Sequence, residues 1–163
     1  MSETRHDMHI LLVCTGNTCR SPMAEAILRA LVEQRGLTDV VVSSAGTGAW
    51  DGAPASEGAY LVGLERGVDL SAHRARLLTQ ELADSADLIL TMSHAHRQRV
   101  LAVAAEDKAQ VLGEYAGRSG EEVEVPDPFG GDLADYRETY HRLESMLDAV
   151  VERVARERAR GER

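Results

Sequence analysis

Cysteine is scarce in this chain. Two thiols among 163 residues cannot build a disulfide framework, and a zinc site of four thiolates is excluded. Lysine is scarcer still: Lys108 stands alone and Ala109 follows it, so a Gly-Lys-Ser/Thr phosphate-binding loop is missing. Long apolar runs are missing too. The longest near the start, residues 10–14, falls far short of the ~20 residues that span a bilayer. The opening MSETRHDMHI has no apolar stretch of the kind a leader needs. Positive charge is in deficit, 18 basic residues against 27 acidic, for a formal net charge of −9. Such a surface repels nucleic acid and anionic membranes, so neither is an expected partner. Repeats and low-complexity tracts are absent. Free thiols without a leader point to a reducing cytoplasm.

What is present is an ordinary globular balance, 44% apolar and 28% charged, in a length that suits a single domain over residues 1–163. Residues 1–7 read as a polar lead-in, and about 155–163 as a charged, mobile tail. Residues 8–13 form a short apolar run without polar alternation, the pattern of a buried strand. From Pro22 the period changes: Met23, Ala26, Ile27, Ala30 and Leu31 share one helical face, and Gly36 stands where that helix stops. A β-branched run follows at residues 40–42, ended by Ser43-Ser44-Ala45-Gly46. Helices are expected over 55–66, 79–85 and 95–105, and strands over 87–92 and 110–112. The last helix starts near Leu133, with apolar positions 136, 140, 143, 147, 150 and 154 recurring at three and four. Strands alternating with helices predict an α/β three-layer sandwich, a four-stranded parallel sheet with helices on both faces. Ligands of such sheets bind beyond the carboxyl ends of the strands.

The loop after the first strand therefore carries the chemistry. It reads Cys14-Thr15-Gly16-Asn17-Thr18-Cys19-Arg20-Ser21, with Pro22 next. Small residues turn the chain, and a helix begins with Ser21 as N-cap and Pro22 as first helical residue. Backbone N–H groups converge in such a turn and the helix dipole adds positive potential, which suits an anion. Arg20 supplies a planar fork that matches two phosphate oxygens. Cys14, at the base, is favoured as thiolate by these groups, and a thiolate under a phosphoryl group is a nucleophile poised to form phosphocysteine.

The stretch VCTGNTCRSPMAEA resembles the signature of the low-molecular-weight protein tyrosine phosphatase family. The resemblance continues through SSAGT, DLSAHRAR, SADLILTMSHAH and PDPFGGD, and so covers most of the chain. It implies Cys14 as nucleophile, Arg20 as holder of the phosphoryl oxygens and Asp127 as general acid. Pro126 and Pro128 bracket Asp127 and restrict its backbone, which suits a catalytic carboxyl held over the loop. The same carboxyl then serves as base toward the water that hydrolyses phosphocysteine. The resemblance also implies that Asn17 sits in a strained turn supported by Ser21, Ser44 and His73. Cys19 is either a disulfide partner that protects Cys14 from over-oxidation or a residue packed beneath the loop.

Within that family, CTGNTCRSP with DPFGG resembles the bacterial protein arginine phosphatases. Thr18 stands where tyrosine-specific members carry an aliphatic residue, and Phe129-Gly130-Gly131 where they tend to carry more aromatics. A hydroxyl and the Asp127 carboxylate suit the N–H groups of phosphoarginine, whereas an aliphatic wall suits a phenyl ring. Trp50 lies where tyrosine-specific members place a substrate-flanking aromatic, so phosphotyrosine stays the alternative, with Trp50 and Phe129 as ring walls. Expected partners are phosphorylated proteins, with inorganic phosphate as product and competitive ligand. No cofactor and no metal are expected: His94 and His96 point to different sides of a helix start. Tyr136 and Tyr140 read as packing residues. A non-catalytic phosphopeptide-binding module is the remaining class, and it predicts that Cys14→Ser behaves like wild type.

Overall fold

A computed structural model describes residues 6–161. Its elements run β1 (Met8–Cys14), α1 (Arg20–Gln34), β2 (Val40–Gly46), α2 (Glu57–Glu65), α3 (Gln80–Ser85), β3 (Leu88–Thr91), α4 (His94–Val100), β4 (Ala109–Val111), α5 (Leu112–Tyr115) and α6 (Leu133–Ala159). The four strands are all parallel, in the order β2-β1-β3-β4.

Apolar side chains without alternation explain this sheet. Ile10, Leu12 and Cys14 of β1 join Leu88 and Leu90 of β3 in a core with α1 and α6, while Leu11, Val13 and Ile89 pack on the other face with Val100 of α4. Both faces of β1 and β3 are thus covered, the expected three-layer sandwich. Residues such as Leu11, Leu12 and Ile89 are wholly buried, each worth roughly 1.5–3 kcal/mol of transfer free energy. Because β1 leads by way of α1 to β2 on one side, and β3 lies on its other side, the chain order reverses between β1 and β3. The loop after β1 and the start of α4 after β3 flank that crevice.

Several boundaries differ from the sequence pattern, each for a local reason. Ser43, Ser44, Ala45 and Gly46 belong to β2, because they pair in register with Leu11, Leu12, Val13 and Cys14. The first helix begins at Arg20, and Ser21 does not cap it; its hydroxyl is engaged elsewhere. Its far end is as expected, with Gly36 at φ +66° just beyond. The helix expected over 95–105 is confined to α4, and Leu112 opens the short α5 instead of closing a strand. The expected tail is also helical as far as Ala159. Arg158 is only 2% exposed, donates to the His6 carbonyl at 2.9 Å and pairs with Asp39, so residues 155–159 are anchored by a buried charge. Residues 1–5 of the lead-in and 162–163 of the tail lie outside the described residues; His6 and Asp7 are exposed.

Candidate active site

The turn from β1 into α1 is made at Asn17, which takes φ +56°, a left-handed conformation that asparagine tolerates better than most residues. It is wholly buried, so its amide must be satisfied by protein. Nδ2 donates to Ser21 Oγ at 2.7 Å and to Ser44 Oγ at 2.9 Å, while Oδ1 accepts from the Arg76 N–H at 3.0 Å. The Asn17 carbonyl lies 2.7 Å from His73 Nε2, and a carbonyl only accepts, so that nitrogen carries the proton. The expected support residues Asn17, Ser21, Ser44 and His73 therefore meet in one network.

Proton direction along this network follows from its donors. An amide N–H only donates, so Ser21 Oγ accepts from Asn17; its own proton remains for Cys14 Sγ at 2.9 Å when that sulfur is a thiolate, which only accepts. Ser44 accepts from Asn17 in the same way and donates to Glu25 Oε1 at 2.5 Å. Glu25 also pairs with Arg29 at 2.6 Å, one turn along α1. Sequence reasoning passed over Glu25, although it stands four residues after Ser21 on the same helical face.

Cys14 ends β1 and is 2% exposed. Arg20, on the first turn of α1, is 6% exposed; its Nη1 donates to the Val125 carbonyl at 3.0 Å, and its Nη2 lies 3.6 Å from Asp127 Oδ2. Its Nε is buried without a hydrogen-bond partner among the described residues. A buried guanidinium with an unspent donor suits an anion's oxygens. Val125 in turn donates to the Met92 carbonyl at 2.9 Å, just beyond β3. The loop that carries Asp127 is thus tied both to the sheet and to Arg20. Asp127 Oδ1 accepts the Phe129 N–H at 3.0 Å, which fixes the carboxyl over its own turn.

A cavity of about 210 Å³ unites these groups. Cys14, Thr15, Gly16, Thr18, Cys19 and Arg20 contribute from the first loop, with Asp127 and Phe129 from the second. A larger cleft of about 670 Å³ runs between α1 and the segment 67–76; Glu25 and His73 line it, but neither Cys14 nor Cys19 does. The residues expected to carry chemistry meet in the smaller cavity. Thr18 and Phe129 line that cavity and Trp50 does not; Trp50 is 85% exposed on the loop after β2. Cys19 is a free, buried thiol that donates to Ser56 Oγ at 3.2 Å and lies 3.5 Å from the Tyr136 hydroxyl. Tyr136 is therefore more than a packing residue, because its polar end reaches the loop from α6.

His96 was also missed as a site residue. It is 7% exposed, with Nε2 2.7 Å from Thr15 Oγ1 and Nδ1 2.7 Å from Ser93 Oγ. Burial, aided by the Arg20 cation, lowers its pKa to about 4 against the nearby carboxylates of Asp127 and Glu124, so the ring is neutral at pH 7. Its position directly after β3, across the crevice from the first loop, was the signal available.

Similarity to known proteins extends over nearly the whole of this arrangement. A protein-arginine-phosphatase from Bacillus subtilis is 40% identical over 153 residues, covering 93% of this chain and 99% of that protein. Low molecular weight protein-tyrosine phosphatase A from Mycobacterium tuberculosis is 40% identical over 156 residues, covering 91% and 95%. Among solved structures, a YwlE arginine phosphatase variant with a phosphorylated active-site serine superposes with a TM-score of 0.86 at 39% identity, covering 93% of this chain and 99% of that one. Residues 9–160 match the sequence profile described as low molecular weight phosphotyrosine protein phosphatase, and the chain belongs to that family.

Proposed function

We propose that this chain is a phosphoprotein phosphatase that works through phosphocysteine and prefers phosphoarginine. One observation carries the reading: Cys14, Arg20 and Asp127 converge on a single small cavity. Arg20 and the loop N–H groups hold the phosphoryl oxygens. The Cys14 thiolate, stabilised by the Ser21 hydroxyl, attacks phosphorus; the S–P bond forms as the P–N bond breaks, and the departing guanidine nitrogen takes the Asp127 proton. Water then attacks the phosphocysteine and gives a proton to the Asp127 carboxylate. The S–P bond breaks and releases inorganic phosphate, which is also a competitive ligand of the loop.

Identity to the two kinds of relative is the same, 40%, so overall similarity does not select the phosphoamino acid. The cavity wall does the selecting. Thr18 and Asp127 offer oxygen acceptors to guanidinium N–H groups, and among the described residues Phe129 is the only aromatic that lines the cavity. Phosphotyrosine is the second reading, favoured by Phe129, which lines the cavity and is 73% exposed. Two free thiols support a reducing cytoplasm as the compartment, and among the described residues no helix is long and apolar enough to cross a membrane.

The test is kcat/KM on matched phosphoarginine and phosphotyrosine peptides for wild type, Thr18→Ile and Cys14→Ser. Wild type is expected to prefer phosphoarginine, Thr18→Ile to shift toward phosphotyrosine by about tenfold or more, and Cys14→Ser to be inert. Unchanged selectivity in Thr18→Ile removes the basis for phosphoarginine. Turnover by Cys14→Ser at the wild-type rate removes the phosphocysteine mechanism.

A further inference from the structure

The Asn17 network braces the phosphate loop from the side of α1 and β2. The opposite side, facing β3 and α4, is braced by a different chain of contacts. Ser93 caps α4, accepting the His96 backbone N–H at 3.1 Å, and its hydroxyl also lies 2.7 Å from His96 Nδ1. His96 then reaches across the crevice to Thr15, the residue directly after Cys14. The backbone of Thr15 is held as well, its carbonyl accepting from Gly48 N–H at 2.9 Å. Thr15 is thus pinned from the loop after β2 through its main chain and from α4 through its side chain.

We propose that His96 is a positioning residue for the phosphate loop: its Nε2–H donates to Thr15 Oγ1 and turns the Thr15 hydroxyl proton toward the bound phosphoryl group. The inference rests on the phosphatase reading of the cavity.

Three observations converge on it. A neutral imidazole has one donor and one acceptor nitrogen, and the ring is neutral at pH 7 because burial opposes its charge. Ser93 Oγ accepts from the α4 backbone and keeps one proton, which Nδ1 is placed to take at 2.7 Å; that assignment leaves Nε2 as the donor. Thr15 lines the cavity, and with one lone pair committed to His96 its own O–H is free to serve an anion. Threonine otherwise divides between rotamers, so the contact removes freedom that the loop has to lose on binding phosphate. Catalytic loops gain from such fixing because small displacements of reacting groups are costly.

The experiment compares wild type, His96→Phe, His96→Gln, Thr15→Val and the His96→Phe/Thr15→Val pair, each checked for folding by urea denaturation. Phenylalanine fills the volume of His96 without a donor; glutamine returns an N–H near Nε2. His96→Phe is expected to lower kcat/KM and weaken competitive inhibition by inorganic phosphate by about tenfold each, the scale of one lost hydrogen bond serving a charged ligand. His96→Gln is expected to recover most of this. The loss caused by His96→Phe should vanish when Thr15 is already valine, since the two act as a unit. NMR of the wild-type ring nitrogens should find the proton on Nε2. A His96→Phe protein as active as wild type, additive losses in the pair, or a ring protonated at Nδ1 would each overturn the proposal. Wild type inert on both phosphopeptides would instead overturn the phosphatase reading on which it rests.

Discussion

His96 makes an acid-side prediction at the scale of a single residue. Its native pKa of about 4 lies below the ordinary 6.5, so the folded state binds its proton less readily than the unfolded chain. The stability this contributes is fully present above pH 6.5 and is lost progressively as pH falls toward 4. The gap is worth roughly 3 kcal/mol at 1.36 kcal/mol per pH unit. Wild type should therefore lose about that much more unfolding free energy between pH 7 and pH 4 than His96→Gln does, measured by urea denaturation at each pH. Parallel profiles would show that the ring protonates without opposition. His96 escaped the sequence because its partner stands 81 positions earlier. With His94 and His96 pointing to different sides of a helix start, no ligand set forms, and nothing local gives His96 a role until the sheet order places it opposite Thr15. Cys19 is legible in the sequence as a loop thiol, but its partners are not: Ser56 and Tyr136 come from two distant helix regions.

Among the elements, β2 decides how closely the loop is backed. Its last residue, Gly46, pairs with Cys14, and a Cβ there would collide with the Thr15 carbonyl and come within 2.9 Å of the Asn17 nitrogen. Both are backbone atoms, which cannot rotate away. Gly46→Ala is expected to destabilise the protein by about 1–3 kcal/mol. It should also cut kcat/KM by about 100-fold, because the nucleophile loop must shift. A combined measurement of thermal unfolding and kcat/KM checks this; an alanine variant with full activity would mean that the loop yields without consequence. The strands at the centre of the sheet were readable from their apolar runs. The extension of β2 through Ser43 and Ser44 was not, because two serines read as a strand end until Leu11 and Leu12 of β1 are seen to pair with them.

Across the whole molecule, the buried ion pair and the candidate site sit at opposite ends of the sheet. Cys14 and Gly46 end their strands, and the start of α4 lies just beyond β3, all on the carboxyl side of the sheet. Arg158, Asp39 and the His6 carbonyl meet at the amino ends. Removing one partner of a buried ion pair costs about 3–5 kcal/mol, and Asp39 keeps partial access to water, which places Arg158→Ala near the lower figure. Its kcat/KM should stay within about twofold of wild type once the variant is folded, since the loop contacts are untouched. Urea denaturation and kcat/KM on the same preparation decide the matter; a matching loss of activity would mean that the two ends of the sheet are coupled.

By itself the sequence determined the α/β class, the loop from Cys14 to Ser21, the pairing of that loop with Asp127 and the apolar stripe of α6. Each of these is a local pattern, or a resemblance carried by contiguous motifs, and needs no knowledge of what lies across the fold. Only the tertiary structure decided the rest. Ser21 serves Cys14 instead of capping α1, because Asn17 donates to it from a left-handed turn. Arg158 is interior, because an arginine near a chain end reads as solvated until Asp39 and His6 are beside it. Thr15 is held by His96, because the chain reverses its order between β1 and β3 and brings two segments 81 residues apart to the same crevice.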